Sequence, residues 1–182
     1  MSKLAMIFTA AVLVAGCHSH NQPAPSAGTT AASAASGPPT SRSSTSNTLR
    51  GATATLSANY PTVDDVFTNT VTGKVPVSWP KGTLYATRGP MVQVLASFDV
   101  ADTTVTETFL TTASLAVGTF NGPVYTFKGA PVITNVTVDP GSDHEVDPVN
   151  ISFTADSISV NDSGIHVTDG AKQILRVEFS TL

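Results

Sequence analysis

The sequence predicts an all-β fold, an antiparallel β-sandwich of immunoglobulin-like architecture, and three observations carry that prediction. Apolar side chains recur at every second position through most of the segment 50–182. β-Branched Val, Ile and Thr dominate these runs, as a pleated, half-buried surface favours. Turn signals separate the runs: Pro80-Lys81-Gly82, Arg88-Gly89-Pro90, Asn121-Gly122-Pro123, Asp139-Pro140-Gly141, Asp162-Ser163-Gly164 and Asp169-Gly170. Short strands punctuated at roughly ten-residue spacing are the pattern of antiparallel sandwiches and barrels. The Cys–Trp–Cys hallmark of immunoglobulin domains is absent, so the likeness is one of architecture alone.

Each run has its own signature. Residues 70–79 form the first candidate strand region, and Trp79 falls in phase with Val75 and Val77, which assigns it to the core. Val92, Val94, Ala96, Phe98 and Val100 alternate with mostly polar neighbours. Residues 105–110, 115–120, 124–128 and 133–138 are further candidates. Val149, Ile151, Phe153 and Ala155 alternate, and Ile158 and Val160 then resume on the opposite parity. A change of parity around Asp156-Ser157 predicts a bulge or a break between two strands. Leu175, Val177 and Phe179 close the chain with another alternating run. Residues 63–67 and 171–174 offer a helical turn each at most, and no internal repeat is evident.

The N-terminal segment has a different organisation. Lys3 precedes an apolar run over residues 4–14, and Ala15 and Gly16 lead into Cys17. That order matches an export signal, and the run is well short of the ~20 residues needed to span a bilayer as a helix. Leu13-Val14-Ala15-Gly16-Cys17 resembles the lipobox of bacterial lipoproteins. The resemblance implies cleavage before Cys17 by signal peptidase II, with acyl chains such as palmitate on the cysteine. Several chains on one residue meet the requirement for stable anchoring. His18 follows the cysteine instead of the Asp that retains such lipoproteins in the inner membrane. The resemblance therefore implies a cell outer membrane lipoprotein, its domain in the periplasm or at the cell surface. A transmembrane barrel is the weaker alternative, because aromatics are 7% of the chain and form no girdles.

Three regions follow: a signal peptide over 1–16, an acylated cysteine and tether over 17–49, and a β-sandwich domain over 50–182. The tether is built from Ser, Thr, Ala, Gly, Pro, Asn and Gln. Such composition cannot bury enough apolar surface to offset its ordering entropy, so disorder is expected. As a flexible coil it averages about 30 Å end to end. The domain, about 130 residues, has a usual single-domain size. Cys17 is the only cysteine, so once acylated it leaves no disulfide and no Cys-based zinc site.

Charged residues are 12% of the chain, hydrophobic ones 41%, and the formal net charge is −4. With a pI near 5.4, the charge balance gives no reason to expect nucleic acid as a partner. The densest polar cluster is 139–148, where Asp139, Asp143, Glu145 and Asp147 offer carboxylates of the kind calcium prefers. The EF-hand spacing is not met, and Asp-Pro-Gly reads first as a turn, so no metal site is assigned. A second acidic stretch, 162–169, carries Ser-Gly and Asp-Gly turn signals and still less chemistry.

His144 and His166 are the only histidines of the domain, but no G-x-S-x-G elbow accompanies them. His166 lies between Ile165 and Val167, on the polar face of its strand. Glycosidase chemistry needs two carboxylates at a fixed separation, which spacing along the chain does not supply. No phosphate-binding loop or dinucleotide fingerprint is present. No catalytic residue and no cofactor are therefore assigned. Among the aromatics Tyr60, Trp79, Tyr85 and Tyr125, Tyr60 is the one expected to be exposed. The expectation is a non-enzymatic accessory or binding module, held to the membrane through Cys17 and docking on another envelope protein by loops or an edge strand. A surface-displayed adhesion or glycan-binding module is the alternative, and a hydrolase built on His144 or His166 a more distant one.

Overall fold

The computed structural model describes residues 47–88, 94–144 and 147–180, all within the compact unit formed by residues 42–182. Cys17, the signal segment, most of the tether, Val92 and Glu145 lie outside the described residues. Leu49 is the first fully buried side chain among them, and its N–H donates to the carbonyl of Asp102 at 2.7 Å. No helix of the described residues is long and apolar enough to cross a membrane.

The strands follow in chain order as β1 (Thr53–Asn59), β2 (Val71–Lys74), β3 (Val77–Trp79), β4 (Ala96–Val100), β5 (Thr104–Phe109), β6 (Ala113–Ser114), β7 (Gly122–Lys128), β8 (Ile133–Val138), β9 (Ile151–Phe153), β10 (Ser157–Val160), β11 (His166–Val167) and β12 (Lys172–Phe179). One five-stranded sheet has the order β2-β1-β7-β10-β9, and a second has the order β3-β4-β5-β12-β8. β6 and β11 pair in a separate two-stranded ribbon. Pairing is antiparallel throughout these sheets. The fold is thus all-β and sandwich-like, built of antiparallel sheets.

Alternation explains which side chains close the sandwich. In the first sheet Leu56, Tyr125 and Ile158 stand side by side across β1, β7 and β10. In the second, Trp79, Phe98, Glu107 and Gln173 form the corresponding row across β3, β4, β5 and β12. All seven are buried. Phe98 meets Tyr125 edge-on with ring centroids 6.4 Å apart, a geometry that aromatic pairs favour. A smaller apolar cluster of Phe109, Val167 and Ala171, with Ala113, Leu115 and Ile165 against it, lies under the β6–β11 ribbon.

Several expectations are corrected. β1 was not among the candidate strands; its inward positions Ala54 and Leu56 alternate with Thr and Ser, a weak apolar signal. The 70–79 region divides at Val75-Pro76 into β2 and β3, which belong to different sheets. Proline cannot donate to a ladder, so a corner suits it. Residues 115–120 form a loop and residues 172–174 enter β12. The break at Asp156-Ser157 separates β9 from β10 as a hairpin. Of Val149, Ile151, Phe153 and Ala155 only Ile151 packs against the core, because β9 is a three-residue edge strand whose later positions are exposed. Phe153 and Val149 are 41% and 78% exposed. Trp79 is buried as expected, whereas Tyr60 is half-buried and Tyr85 is the exposed tyrosine.

Gly122, at the start of β7, is fixed by a close approach. A Cβ there would lie 2.1 Å from the Val160 carbonyl oxygen and 3.2 Å from Asp162 Oδ2. The backbone oxygen has nowhere to retreat, so β7 and β10 would have to part. Gly122→Ala is expected to lower stability in urea unfolding by about 1–3 kcal/mol or more, the usual range for overpacking.

Candidate functional site

Six polar or charged residues are buried among the described ones: Ser57, Asn59, Thr68, Glu107, Asp162 and Gln173. Buried polar groups are nearly always hydrogen-bonded, and the first three obey that rule. Ser57 Oγ donates to Asn59 Oδ1 at 2.8 Å, and Asn59 Nδ2 donates to the Val63 carbonyl. Thr68 Oγ1 accepts from Ala58 N and donates to the Asn69 carbonyl, both at 2.9 Å. The other three depart from it together. Glu107 Oε2, Asp162 Oδ1 and both amide atoms of Gln173 lack a hydrogen-bond partner.

Backbone geometry brings them to one place. Glu107 and Gln173 are cross-strand partners on β5 and β12, on the inward parity of Val105 and Leu175. Asp162 follows Ile158 and Val160 on the inward parity of β10. Its N–H donates to the Asn121 carbonyl at 2.8 Å, which fixes it beside Gly122.

Glu107 and Asp162 lie in a cleft of about 370 Å³ at one end of the sandwich. Phe98 and Ala96 line it from the main core, and Phe109, Val167, Ala113 and Leu115 from the smaller cluster. The cleft is therefore the seam where the two cores fail to merge. Tyr60 and Phe67, edge-on at 6.0 Å, complete the apolar wall.

The rim is tied down. Ser163 Oγ both accepts from Gly118 N and donates to its carbonyl at 2.8 Å. Asn161 accepts from Asn121 N at 3.1 Å and donates to the Thr119 carbonyl at 3.1 Å. Asn121 Nδ2 reaches the Ala116 carbonyl at 2.8 Å.

Burial dominates the electrostatics. Glu107 is pushed well above the usual carboxyl range by desolvation, with the neighbouring Asp162 adding to the rise. Asp162 is pushed up to about 7, again by desolvation. The Gln173 amide opposes that rise, although neither of its polar atoms reaches hydrogen-bonding geometry. Below them the Tyr125 phenol is raised by burial first, then by Glu107, Asp162 and Asp99. Two nearby carboxyls out of water favour keeping a proton. Shifted carboxyls in an apolar cleft of this size are the features that distinguish a ligand or reaction site.

The acidic loop has another role. Asp139 Oδ1 accepts from Gly141 N at 2.7 Å, and Oδ2 takes the Arg176 guanidinium. The Gly141 N–H and Arg176 hold its carboxyl below the ordinary value. Asp143 accepts from Lys172 N, and Asp147 accepts from Val149 N at 3.0 Å, capping a single 3₁₀ turn. These described carboxylates shape the loop, and no group of three or more possible metal ligands is gathered among the described residues.

His144 packs edge-on against Phe109 at 5.2 Å. Its imidazole is lowered by burial, with Asp143 opposing. His166 is exposed, its Nδ1 3.1 Å from Ser114 Oγ, and no carboxylate among the described residues hydrogen-bonds to it. Neither histidine sits among the residues lining the cleft. No family model, curated protein or solved structure matches the chain.

Stability should carry the signature of the pair. Both carboxyls are raised, so the folded state holds protons that the unfolded chain, with carboxyls near pH ~4, has released. Their stabilising contribution is complete below that pH and declines as pH rises to about 7, where Asp162 titrates. Replacing Asp162 by Asn is expected to remove up to about 1.4 kcal/mol of that decline per pH unit. The measurement is the wild-type minus D162N difference in unfolding free energy across this window. His144, lowered and so of opposite slope, cancels from that difference.

Proposed function

We propose that this chain is a lipid-anchored bacterial envelope protein whose β-sandwich binds a small, mainly apolar ligand in the cleft and does not transform it. The observation that carries the binding half is the cleft itself, apolar on its walls with two partnerless buried carboxyls. Such a cavity, with few polar groups to orient its occupant, has the make-up of a recognition site. The anchoring half rests on the lipobox-like Leu13-Val14-Ala15-Gly16-Cys17 and the tether after it. Acyl chains on Cys17 would hold the protein at the outer membrane, and the spacer would let the domain meet another envelope component.

A second reading, acid–base catalysis, is favoured by the paired carboxyls with raised proton affinity. The walls argue for binding instead. Sugar or peptide substrates carry many polar groups, and beyond the carboxyl pair the lining is dominated by Ala, Leu, Val and aromatic side chains. Docking through the β9 edge, with Val149 and Phe153 exposed, is a separate contact compatible with ligand binding.

The uncharged fluorophore N-phenyl-1-naphthylamine tests the binding half, using the full chain carrying Cys17→Ser so that detergent is not needed. Saturable binding of about one equivalent is expected, and Ala116→Trp, an exposed rim position, should abolish it. Unsaturable binding, or binding indifferent to A116W, would contradict the reading. The anchoring half predicts that Cys17→Ser loses acyl label and membrane association together.

A further inference from the structure

The orphaned carboxyls call for a more specific occupant. Neither Glu107 nor Asp162 has an ion-pair partner among the described residues. The ion pairs there are Arg50–Asp102, Arg88–Asp65 and Arg176–Asp139, whose residues are not among those lining the cleft. Glu107 is 6% and Asp162 2% exposed, yet both belong to the cleft wall. One oxygen of each has no donor in the fold, and both side chains line the cleft, so an occupant with an N–H⁺ fork would supply the donors the pair lacks. The titratable group facing the pair from the opposite sheet is Tyr125, which supplies no positive charge; Asp99, the other acid that acts on that phenol, is exposed on the outer face of β4.

We propose that the cleft binds an apolar or aromatic ligand bearing a cationic amine, with the ammonium seated at the Glu107 and Asp162 carboxyls and the hydrocarbon against Phe98 and Phe109. This rests on the cleft being a ligand site. Charge-assisted hydrogen bonds to buried oxygens supply the preference, since they are about twice as strong as neutral ones. The aromatic walls add cation–π attraction for an ammonium passing over a ring. Burial raises the proton affinity of both empty carboxyls, so seating a cation there favours the loss of a proton. That proton goes to the buffer, and binding releases it in the range where Asp162 titrates, about pH 7.

The test uses three probes of one skeleton on the full chain carrying Cys17→Ser: phenethylammonium, 2-phenylethanol and 3-phenylpropanoate. Phenethylammonium is expected to bind at least about tenfold more tightly than the alcohol, with the carboxylate weakest. Calorimetry in buffers of different ionisation enthalpy should register proton release for the ammonium and none for the alcohol. Glu107→Gln and Asp162→Asn, isosteric and free of buried charge, should erase the preference while leaving the alcohol bound. The wild-type probe series stands without either variant. Equal or tighter binding of the alcohol, or a preference that survives both substitutions, would overturn the cation assignment and leave the cleft as a neutral ligand site. Failure of all three probes would overturn the assignment, and failure of N-phenyl-1-naphthylamine as well would remove the cleft reading with it.

Discussion

Glu107 stands at the middle strand of its sheet, one position from Phe98 and Gln173, and faces the fully buried Tyr125 across the interface. A carboxyl placed there is 6% exposed and meets solvent only through the cleft, and its acidic neighbour Asp162 is as deeply buried. Removing two carboxyls from water costs several kcal/mol if both stay charged. Burial raises the proton affinity of both carboxyls, and the sandwich stays open at that end as the cleft. The main core closes on one side of the pair and the cluster around Phe109 and Val167 closes on the other. Asp162 is held beside β7 by its N–H bond to the Asn121 carbonyl and by the hydrogen-bonded Asn161 and Ser163 on either side.

Much of the fold was legible because period-two alternation is a direct imprint of one buried face. β4, β5, β8 and β12 lie where Phe98, Val105, Val136 and Leu175 recur with polar neighbours. β1 escaped because its inward side chains are mostly small, and residues 115–120 imitated a strand although loop hydrogen bonds claim their backbone. Phe153 alternates correctly yet stays outside, since alternation reports a face and not whether a second layer covers it.

The site was legible in principle and overlooked in detail. Glu107 interrupts Val105 and Phe109 on the inward parity, Gln173 precedes Leu175 and Val177, and Asp162 continues Ile158 and Val160. A polar residue in phase with a core row is a local conflict, and such conflicts concentrate at functional sites. Reading only the apolar members of each run hid it, and charge density drew attention to 139–147 instead. There Asp139, Asp143 and Asp147 serve turn and cap hydrogen bonds. No linear spacing could have joined Glu107 to Asp162, because they come from different sheets and meet only where one layer packs on the other.

The account therefore depends on the ionisation of two side chains. Carboxyl ¹³C shifts of Glu107 and Asp162, followed by NMR through a pH titration of the labelled full chain, test it most directly. The predicted result is an Asp162 transition near pH 7, with Glu107 also titrating well above the usual carboxyl range. Ordinary transitions near pH ~4 for both would mean the pair is solvated and charged, and would contradict the account.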